Sequence, residues 1–387
     1  MANRNRVIYQ SEGLFVSKDA SLTGAADAEQ LGRVQSANYS FTINRQDVNQ
    51  YGDLARIDSL VLDPPTVSVD FSYYLADGFN ERALGFFVQN SGVASNRGIP
   101  AGASDAQGNF ASGHLTATSG INMYIVTSPD GEDLNKAGVG EVMDSSDTVI
   151  GIGNCYVSDY SLDLSVGSLP TVSVTMEGAN MRSSSDVGNT GSPAINQEDG
   201  DAFPFYIALP NATTDGGIEG TEKGGVPITA LRPGDVTVSL STVDGESIAD
   251  IAGVDGAHIQ SVSLSLPLSR SPIQRLGSKF PFARSVDFPV DMSMSISAIM
   301  NDTHTANLVN ILDSGVQDVS FFIDGVSGAK AIRGDLKGVK LDSESFSSSI
   351  GSNKTVDLTF STQVGGPNDL VNGFFMSGCG SGPIFTA

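Results

Sequence analysis

The chain repeats part of its own sequence at a fixed distance, and this feature constrains the fold more than any other. The segment that begins at Val34 aligns without a gap with the segment that begins at Ile259, 225 positions later. Ten of the 44 aligned positions are identical: Gln35/Gln260, Ser36/Ser261, Ser40/Ser265, Arg45/Arg270, Gly52/Gly277, Val61/Val286, Pro64/Pro289, Ser68/Ser293, Ser72/Ser297 and Asp77/Asp302. Self-similarity at a fixed distance is typical of a duplicated structural unit. The sequence therefore predicts two copies of one fold.

A second match continues the duplication at a shorter offset of 184. The segment from Val157 resembles the segment from Leu341, and both contain a Gly-Ser turn followed by an alternating run that begins at Thr171 or Thr355. The shorter offset means that the first copy carries an insertion. Residues 90–120, which are rich in Gly, Ser and Ala, are the candidate, and we expect them to decorate the outside of the domain.

Alternation of apolar residues with Ser or Thr, as in "DMSMSISAI" and "TVSVTM", predicts β-strands with one apolar face. The stretches "ERALGFFV" and "ANLVNILD" match at offset 225 and have helix-like spacing. A sheet with one apolar face must bury it. The predicted fold class is therefore mainly β, with two tandem antiparallel β-barrel or sandwich domains that each carry a short helix.

These patterns divide the chain into three parts. Residues 1–182 are predicted to form the first domain, with the insertion near 90–120, and residues 255–387 the second domain with a C-terminal tail. The segment between them, 183–254, is rich in Gly, Ser and Asp. That composition indicates a linker or an insertion with some strand.

Composition excludes several classes of protein. The formal charge of −23 disfavours a protein that reads DNA sequence, because phosphate contacts require Lys and Arg. No stretch approaches the roughly 18 apolar residues of a membrane helix, and the first residues lack the apolar region of a secretory signal, so we expect synthesis in the cytoplasm and no membrane. Cys155 and Cys379 lie far apart, and the sequence leaves open whether they pair.

No pattern supports catalysis. The three histidines, His114, His258 and His304, have no paired spacing and are interpreted as exposed residues without a special role. "GCGSG" is not a nucleophile elbow, and "GIGNCY" lacks the third glycine of a dinucleotide loop. The acidic loops lack the alternating ligands of a calcium site. The sequence therefore predicts no enzyme, no catalytic residue, no cofactor and no metal.

Two long loops occupy the same place in the two copies. The loop at 45–63 carries Asp47, Asp53, Asp58 and Asp63 and is net acidic, whereas the loop at 270–288 is net basic and contains phenylalanines. One interpretation is that each loop folds over its own domain with solvated charges. The other is that the loops are assembly contacts, in which opposite charge helps to set which copy meets which.

The order of strand, long loop with R-x-x-x-x-x-x-G, Pro-led strand and short helix, ending in "SLDLSVGSLPTVSVTM", resembles the tail tube proteins of long-tailed bacteriophages. "IQRLGSKFPFARSVDFPVDMSMSISAIM" is the most telling stretch, and the resemblance covers roughly 34–180 and 255–365. It is a match of pattern rather than of a diagnostic motif. The segments at 90–120 and 183–230 depart from a minimal tube domain.

The resemblance implies a structural virion protein of the phage tail whose rings stack into a tube for genome ejection. Two tube domains in one chain imply a homotrimer with pseudo-sixfold symmetry, with other tail proteins at the tube ends and double-stranded DNA passing through the lumen without specific binding. The acidic composition suits such a lumen. The residues expected at inter-ring or other assembly contacts are Arg45, Tyr51, Gly52, Arg56, Arg270, Arg275, Lys279, Phe280, Phe282 and Arg284.

Three alternatives remain at this point. A tail adaptor or hub shares the same fold. A β-rich adhesin or surface-layer protein has a similar composition but should carry an export signal. A glycan-binding module or glycosidase would normally display tryptophan, which this chain lacks.

Overall fold

The computed structural model describes residues 11–17, 29–62, 66–75, 78–89, 108–115, 117, 120–129, 134, 148–184, 236–240, 242–243, 246–247, 258–274, 276, 281, 283–299, 317–324, 331–347, 353–367 and 369–377. Strands dominate, which confirms the mainly β fold class. The elements of the first half are β1 (Glu12–Ser17), β2 (Glu29–Gln30), β3 (Val34–Thr42), β4 (Arg45–Val48), β5 (Asp58–Val61), β6 (Thr66–Tyr74), α1 (Phe79–Ala83), β7 (Val88–Gln89), α2 (Ser112–Leu115), β8 (Ile121–Thr127), β9 (Thr148–Ser165), β10 (Thr171–Gly178) and β11 (Asn180–Ser184).

Among its described residues, the second half contains strands and no helix. They are β12 (Val236–Leu240), β13 (Thr242–Val243), β14 (Glu246–Ser247), β15 (His258–Pro267), β16 (Arg270–Ile273), β17 (Ala283–Val286), β18 (Val290–Ile299), β19 (Gln317–Asp324), β20 (Ala331–Ser347), β21 (Thr355–Val364) and β22 (Gly373–Ser377). The helix expected after Asp302 lies outside the described residues.

Eight antiparallel strands form the central sheet in the order β3-β6-β10-β9-β15-β18-β21-β20. Its first four strands come from the first copy and its last four from the second. The order within each half is the same once β3 is matched with β15, β6 with β18, β10 with β21 and β9 with β20. The expected duplication is therefore visible in the strand order.

The two copies share register as well as order. Ser36 lies opposite Ser72, and at offset 225 Ser261 lies opposite Ser297. A β-bulge interrupts both pairs at the same place, at Gln35 and at Gln260. Each bulged glutamine donates from its side-chain amide to the carbonyl two residues earlier, over 3.0 Å and 3.2 Å. Bulges re-aim a strand and persist as designed features, so their repetition indicates that the two halves follow one structural plan.

The longest strand of each half takes part in two sheets. The first part of β9 pairs with β8 and β11, and its second part runs through the central sheet between β10 and β15. The strand β20 does the same with β19 and β22 before it pairs with β21. Each half thus has two sheets that share one long strand. Of the two forms expected, barrel or sandwich, a closed barrel is not found among the described residues, because β9 pairs with β15 of the other half and the central sheet stays open.

The core lies on one face of the central sheet and continues from one half into the other. An aromatic group crosses this boundary: the ring of Phe110 lies 4.3 Å from Phe86, 5.0 Å from Tyr160 and 5.1 Å from Phe374, measured between ring centroids. The amide of Phe110 also donates to the carbonyl of Phe374 over 2.7 Å. Phe110 belongs to the insertion that was expected to be an outward decoration. That expectation is wrong for residues 108–115, because Phe110 fills the core between the halves.

The helix α1 is held against the central sheet by a buried polar group. The hydroxyl of Tyr73 donates to Glu81 Oε1 over 2.9 Å, and the hydroxyl of Tyr160 donates to the same oxygen over 3.4 Å. Burial raises the pKa of both tyrosines well above the usual value, with the Glu81 charge adding to the effect. The hydroxyls therefore remain neutral donors, and they tie the helix to two strands of the sheet.

Candidate assembly interface

The edge-to-edge contact between the two halves is the best-defined interface in the molecule. Strands β9 and β15 pair over seven positions, with Leu264 opposite Leu162 and Leu266 opposite Tyr160. All four of these side chains are buried; Leu264 is 2% and Leu266 0% exposed. Pairing of strand edges satisfies backbone donors and acceptors that would otherwise invite association. The chain thus contains one complete example of how one repeat joins the next.

The hairpin of β16 and β17 fastens this contact from the second half. Its Arg284 is buried and donates to Glu177 Oε2 over 3.2 Å. Arg270 donates to the carbonyl of His114 over 2.7 Å, and its guanidinium lies 4.7 Å from the ring centroid of Tyr156. Burial lowers the pKa of Arg270. Arg270 and Arg284 of the basic loop therefore bind the first half of the same chain.

The two ends of the central sheet lack such a partner among the described residues. At one end, β3 pairs only with β6, and at the other end the second part of β20 pairs only with β21. Tyr39 and Phe41 of β3 are 42% and 58% exposed, although they lie opposite the buried Val69 and Val67. Their counterparts at offset 225 are the buried Leu264 and Leu266. The apolar side chains of β3 thus lie at the end of the hydrophobic core, where no further strand covers them among the described residues.

The hairpin of β4 and β5 is the counterpart of the β16–β17 hairpin, but it is exposed. Val61 is 50% exposed, whereas its counterpart Val286 is 9% exposed. Arg56 pairs with Asp47 over 2.9 Å within the hairpin. The Ser59 side chain on the facing strand and the Arg56 guanidinium lower the pKa of Asp47. Part of the negative charge of the acidic loop is thus paired within the hairpin, and apolar side chains of the loop are exposed to solvent.

The face of the central sheet away from the core is covered by hydroxyl groups. One row of serines crosses seven neighbouring strands with each serine directly opposite the next: Ser36, Ser72, Ser173, Ser161, Ser265, Ser293 and Ser361. The hydroxyls of Ser36 and Ser72 are 2.7 Å apart. Repetition of one small polar residue along the row makes a uniform surface that spans both halves.

Acids outnumber bases on this hydroxyl face. Among its described residues the acids include Asp70, Asp159, Asp163, Asp291 and Asp357, together with Glu177, which is paired with Arg284; Lys340 is a base on the same face. Burial raises the pKa of Asp159, and Thr175 donates to Asp70 over 2.8 Å. A surface of hydroxyls and carboxylates offers little to bind phosphate, since phosphate binding needs cationic partners.

The residues expected at assembly contacts fall into three groups. Arg45, Tyr51, Gly52 and Arg56 lie in the exposed β4–β5 hairpin, where Gly52 takes a positive φ of 99° at the turn. Arg270 and Arg284 join the two halves within the chain. Arg275, Lys279, Phe280 and Phe282 lie outside the described residues, and their role stays a prediction.

Sequence reasoning missed several residues of these contacts. Glu177 and Tyr156, the partners of the two arginines, carried no recognisable motif. Tyr39 and Phe41 align with Leu264 and Leu266 at offset 225 and were not singled out. Their one available signal was that they are larger and more aromatic than the residues to which they correspond.

Neither a metal site nor a membrane-spanning helix is found in the part of the chain that the structure describes. Among those residues no group of three or more His, Cys, Asp or Glu is placed to hold a metal ion. No helix in the described ranges is long and apolar enough to cross a membrane. Cys155 is a free, buried thiol, and burial raises its pKa to about 12. Its possible partner Cys379 lies outside the described residues.

No protein-family model matches the chain, and no curated protein matches it. Among solved structures, one match is a chain from the tail of an empty gene transfer agent particle with C6 symmetry, at 14% identity and a TM-score of 0.23. Another is a chain from the virion of a native gene transfer agent particle, at 12% identity and a TM-score of 0.20. Each match covers 33% of this chain and 90% of the other. TM-scores this low do not establish a shared fold.

Proposed function

We propose that the chain is a structural subunit of the tail tube of a phage-like virion, in which copies join edge to edge into rings around a central channel. The observation that carries the proposal is the central sheet. Two equivalent halves already pair through β9 and β15, and the outer strands β3 and β20 are the counterparts of that pair. A contact between unlike edges closes into a ring when its repeated rotation adds up to a full turn, and the proposal is that it does so here.

A ring of three chains would contain six repeats and have pseudo-sixfold symmetry. The number three follows from the resemblance to tail tube proteins together with the duplication, and it is part of the proposal. The second repeat would begin no later than Val236, because β12 pairs with β19 of the second half. The linker proposed from the sequence would then end before β12, and most of it lies outside the described residues.

The hydroxyl face would line the channel in such a ring. The core face of the sheet is covered by the second sheet of each half and by α1, so the hydroxyl face is the one left for the lumen. Carboxylates such as Asp70 and Asp163 would repel a passing DNA duplex, and serine hydroxyls would hold it only weakly. The channel would conduct double-stranded DNA without specific binding, as genome ejection requires.

Microscopy of the purified full chain tests this function. We expect negative-stain images to show rings or stacked tubes with a central hole, and light scattering to give about three times the 40.2 kDa chain mass for a single ring. Particles that remain monomeric at every protein concentration, with no ring in the images, would overturn the proposal.

Stacking of rings is a separate step, and the basic loop is the proposed contact. We expect the double variant Phe280→Ala, Phe282→Ala to form rings that do not stack, because loss of a buried aromatic anchor commonly costs about 2 kcal/mol or more at an interface. Microscopy measures the tubes, and circular dichroism checks that the chain is folded. Tubes of normal length from the variant would show that these phenylalanines are not stacking contacts.

A further inference from the structure

We propose that β3 of one copy pairs with β20 of a second copy in one fixed antiparallel register, with Tyr39 opposite Phe346 and Ser40 opposite Ser345. In the same contact, the β4–β5 hairpin covers the end of β20 in that second copy and therefore acts within a ring. This inference rests on the proposed ring and specifies the contact that closes it.

The register follows from the contact that the chain already contains. Strand β15 pairs with β9 so that Leu264 lies opposite Leu162 and Ser265 opposite Ser161. Subtracting 225 from the β15 positions gives Tyr39 and Ser40, and adding 184 to the β9 positions gives Phe346 and Ser345. Each offset holds along its strand pair because the β-bulges recur at the same place, at Ser158 in β9 and at Asp342 in β20.

Burial supports the same pairing. On β3, the core-facing side chains Tyr39 and Phe41 are exposed, while the matching positions on β15 are fully covered by β9. On β20, Phe346 is only partly buried and packs against the end of the core. The carboxylate oxygen Glu344 Oε1 is shielded from water without a hydrogen-bond partner, and burial raises the pKa of Glu344. Both edges thus leave core-facing side chains partly exposed, and the proposed register places Tyr39 opposite Phe346 and Phe41 opposite Glu344.

The same two offsets, 225 and 184, predict how the β4–β5 hairpin contacts the second copy. The amide of Leu268 donates to the carbonyl of Ser158 over 2.8 Å at the internal contact. The corresponding pair is the amide of Ile43, an exposed residue of one copy, and the carbonyl of Asp342 in the other. Val61 would be covered as Val286 is within the chain. The acidic hairpin is thereby assigned to the neighbouring chain of the same ring.

The contact between chains differs in chemistry from the contact within a chain. The ion pair of Arg284 and Glu177 corresponds to Ser59 and Ser361, which cannot form one. Conversely, Leu264 and Leu162 correspond to the larger pair Tyr39 and Phe346. The contact between chains therefore relies on aromatic packing, which supplies large buried area at an interface, while the contact within the chain also uses the buried Arg284.

Disulfide trapping tests the register. In a Cys379→Ser background, Ser40→Cys with Ser345→Cys places two thiols directly opposite across the contact, within the Cα separation of 4.4–6.8 Å that a disulfide tolerates. We expect mild oxidation to yield covalent dimers and trimers on non-reducing gels. The matched control, Ser40→Cys with Ser347→Cys, is displaced by two residues, so we expect at least tenfold less cross-linking. The pair Ser265→Cys with Ser161→Cys should cross-link within one chain and calibrates the oxidation.

The outcomes separate the two proposals. Rings in the microscope with cross-links from the Ser40 and Ser345 pair support the register. Rings without those cross-links, or with equal cross-linking from the displaced control, overturn the register and leave the proposed function standing. Absence of rings from the uncross-linked protein overturns the proposed function itself.

Discussion

Replacing Tyr39 and Phe41 by serine is expected to stop ring formation while leaving the monomer folded. Both side chains are exposed in the single chain, so their loss removes little of its own core. In the proposed ring they are buried against β20 of the next chain. Truncation of an aromatic anchor commonly costs about 2 kcal/mol or more, so the double variant should weaken each contact by about a thousandfold or more. Light scattering and negative-stain microscopy measure the loss.

The control for this variant is Val371→Ser. Val371 is also an exposed apolar residue, but it lies in the turn before β22 and not on β3. It should form rings like the parent chain, and all the proteins should show the same circular dichroism. Normal rings from the Tyr39→Ser, Phe41→Ser protein would show that β3 is not the closing edge.

The duplication could be predicted from sequence because it leaves local signals. Identical residues such as Ser36 and Ser261 align at one offset, and alternating polar and apolar residues specify strands and their inner face. The alternating pattern is local along the chain, and the identities come from comparing one copy with the other. The strand order within each half therefore agreed with the repeat.

The pairing of β9 with β15 could not be predicted in the same way. A strand edge has no sequence signal that names its partner, since its backbone donors and acceptors are the same at every residue. The partner of Arg284 could not be predicted for a related reason. Arg284 looked like an outward contact in an acidic chain, but its partner Glu177 lies 107 positions away along the sequence and is brought to it only by the fold.

The insertion near 90–120 shows a further limit of composition. Its abundance of Gly, Ser and Ala indicated a surface segment, yet Phe110 is fully buried and His114 is buried beside Phe86. A single large aromatic residue can direct a small-residue segment into the core, because burying its ring outweighs the average preference of its neighbours. The position of this segment depended on Phe110, and the average composition of the segment gave no indication of that.

The buried carboxylate of Glu81 gives the second large expected effect, this time on stability. In Glu81→Ala the hydroxyls of Tyr73 and Tyr160 lose the acceptor that both share. Both rings are completely buried, so water does not replace that acceptor without a rearrangement. A buried polar group left unpaired costs about 1–3 kcal/mol. We therefore expect the variant to lose about 2–5 kcal/mol of unfolding free energy, measured by urea denaturation of the full chain.

Two further variants distinguish this hydrogen-bonded group from simple packing. Glu81→Gln keeps a side-chain oxygen for the two hydroxyls and a similar volume, so it should recover more than half of the loss. Tyr73→Phe removes one donor and leaves the carboxylate bonded to Tyr160, so it should cost less than Glu81→Ala. When Tyr73→Phe is added to Glu81→Ala, its further cost should shrink, because the hydroxyl it removes is already unpaired. Equal losses for Glu81→Gln and Glu81→Ala would show instead that the charge, and not the shared acceptor, holds α1 to the sheet.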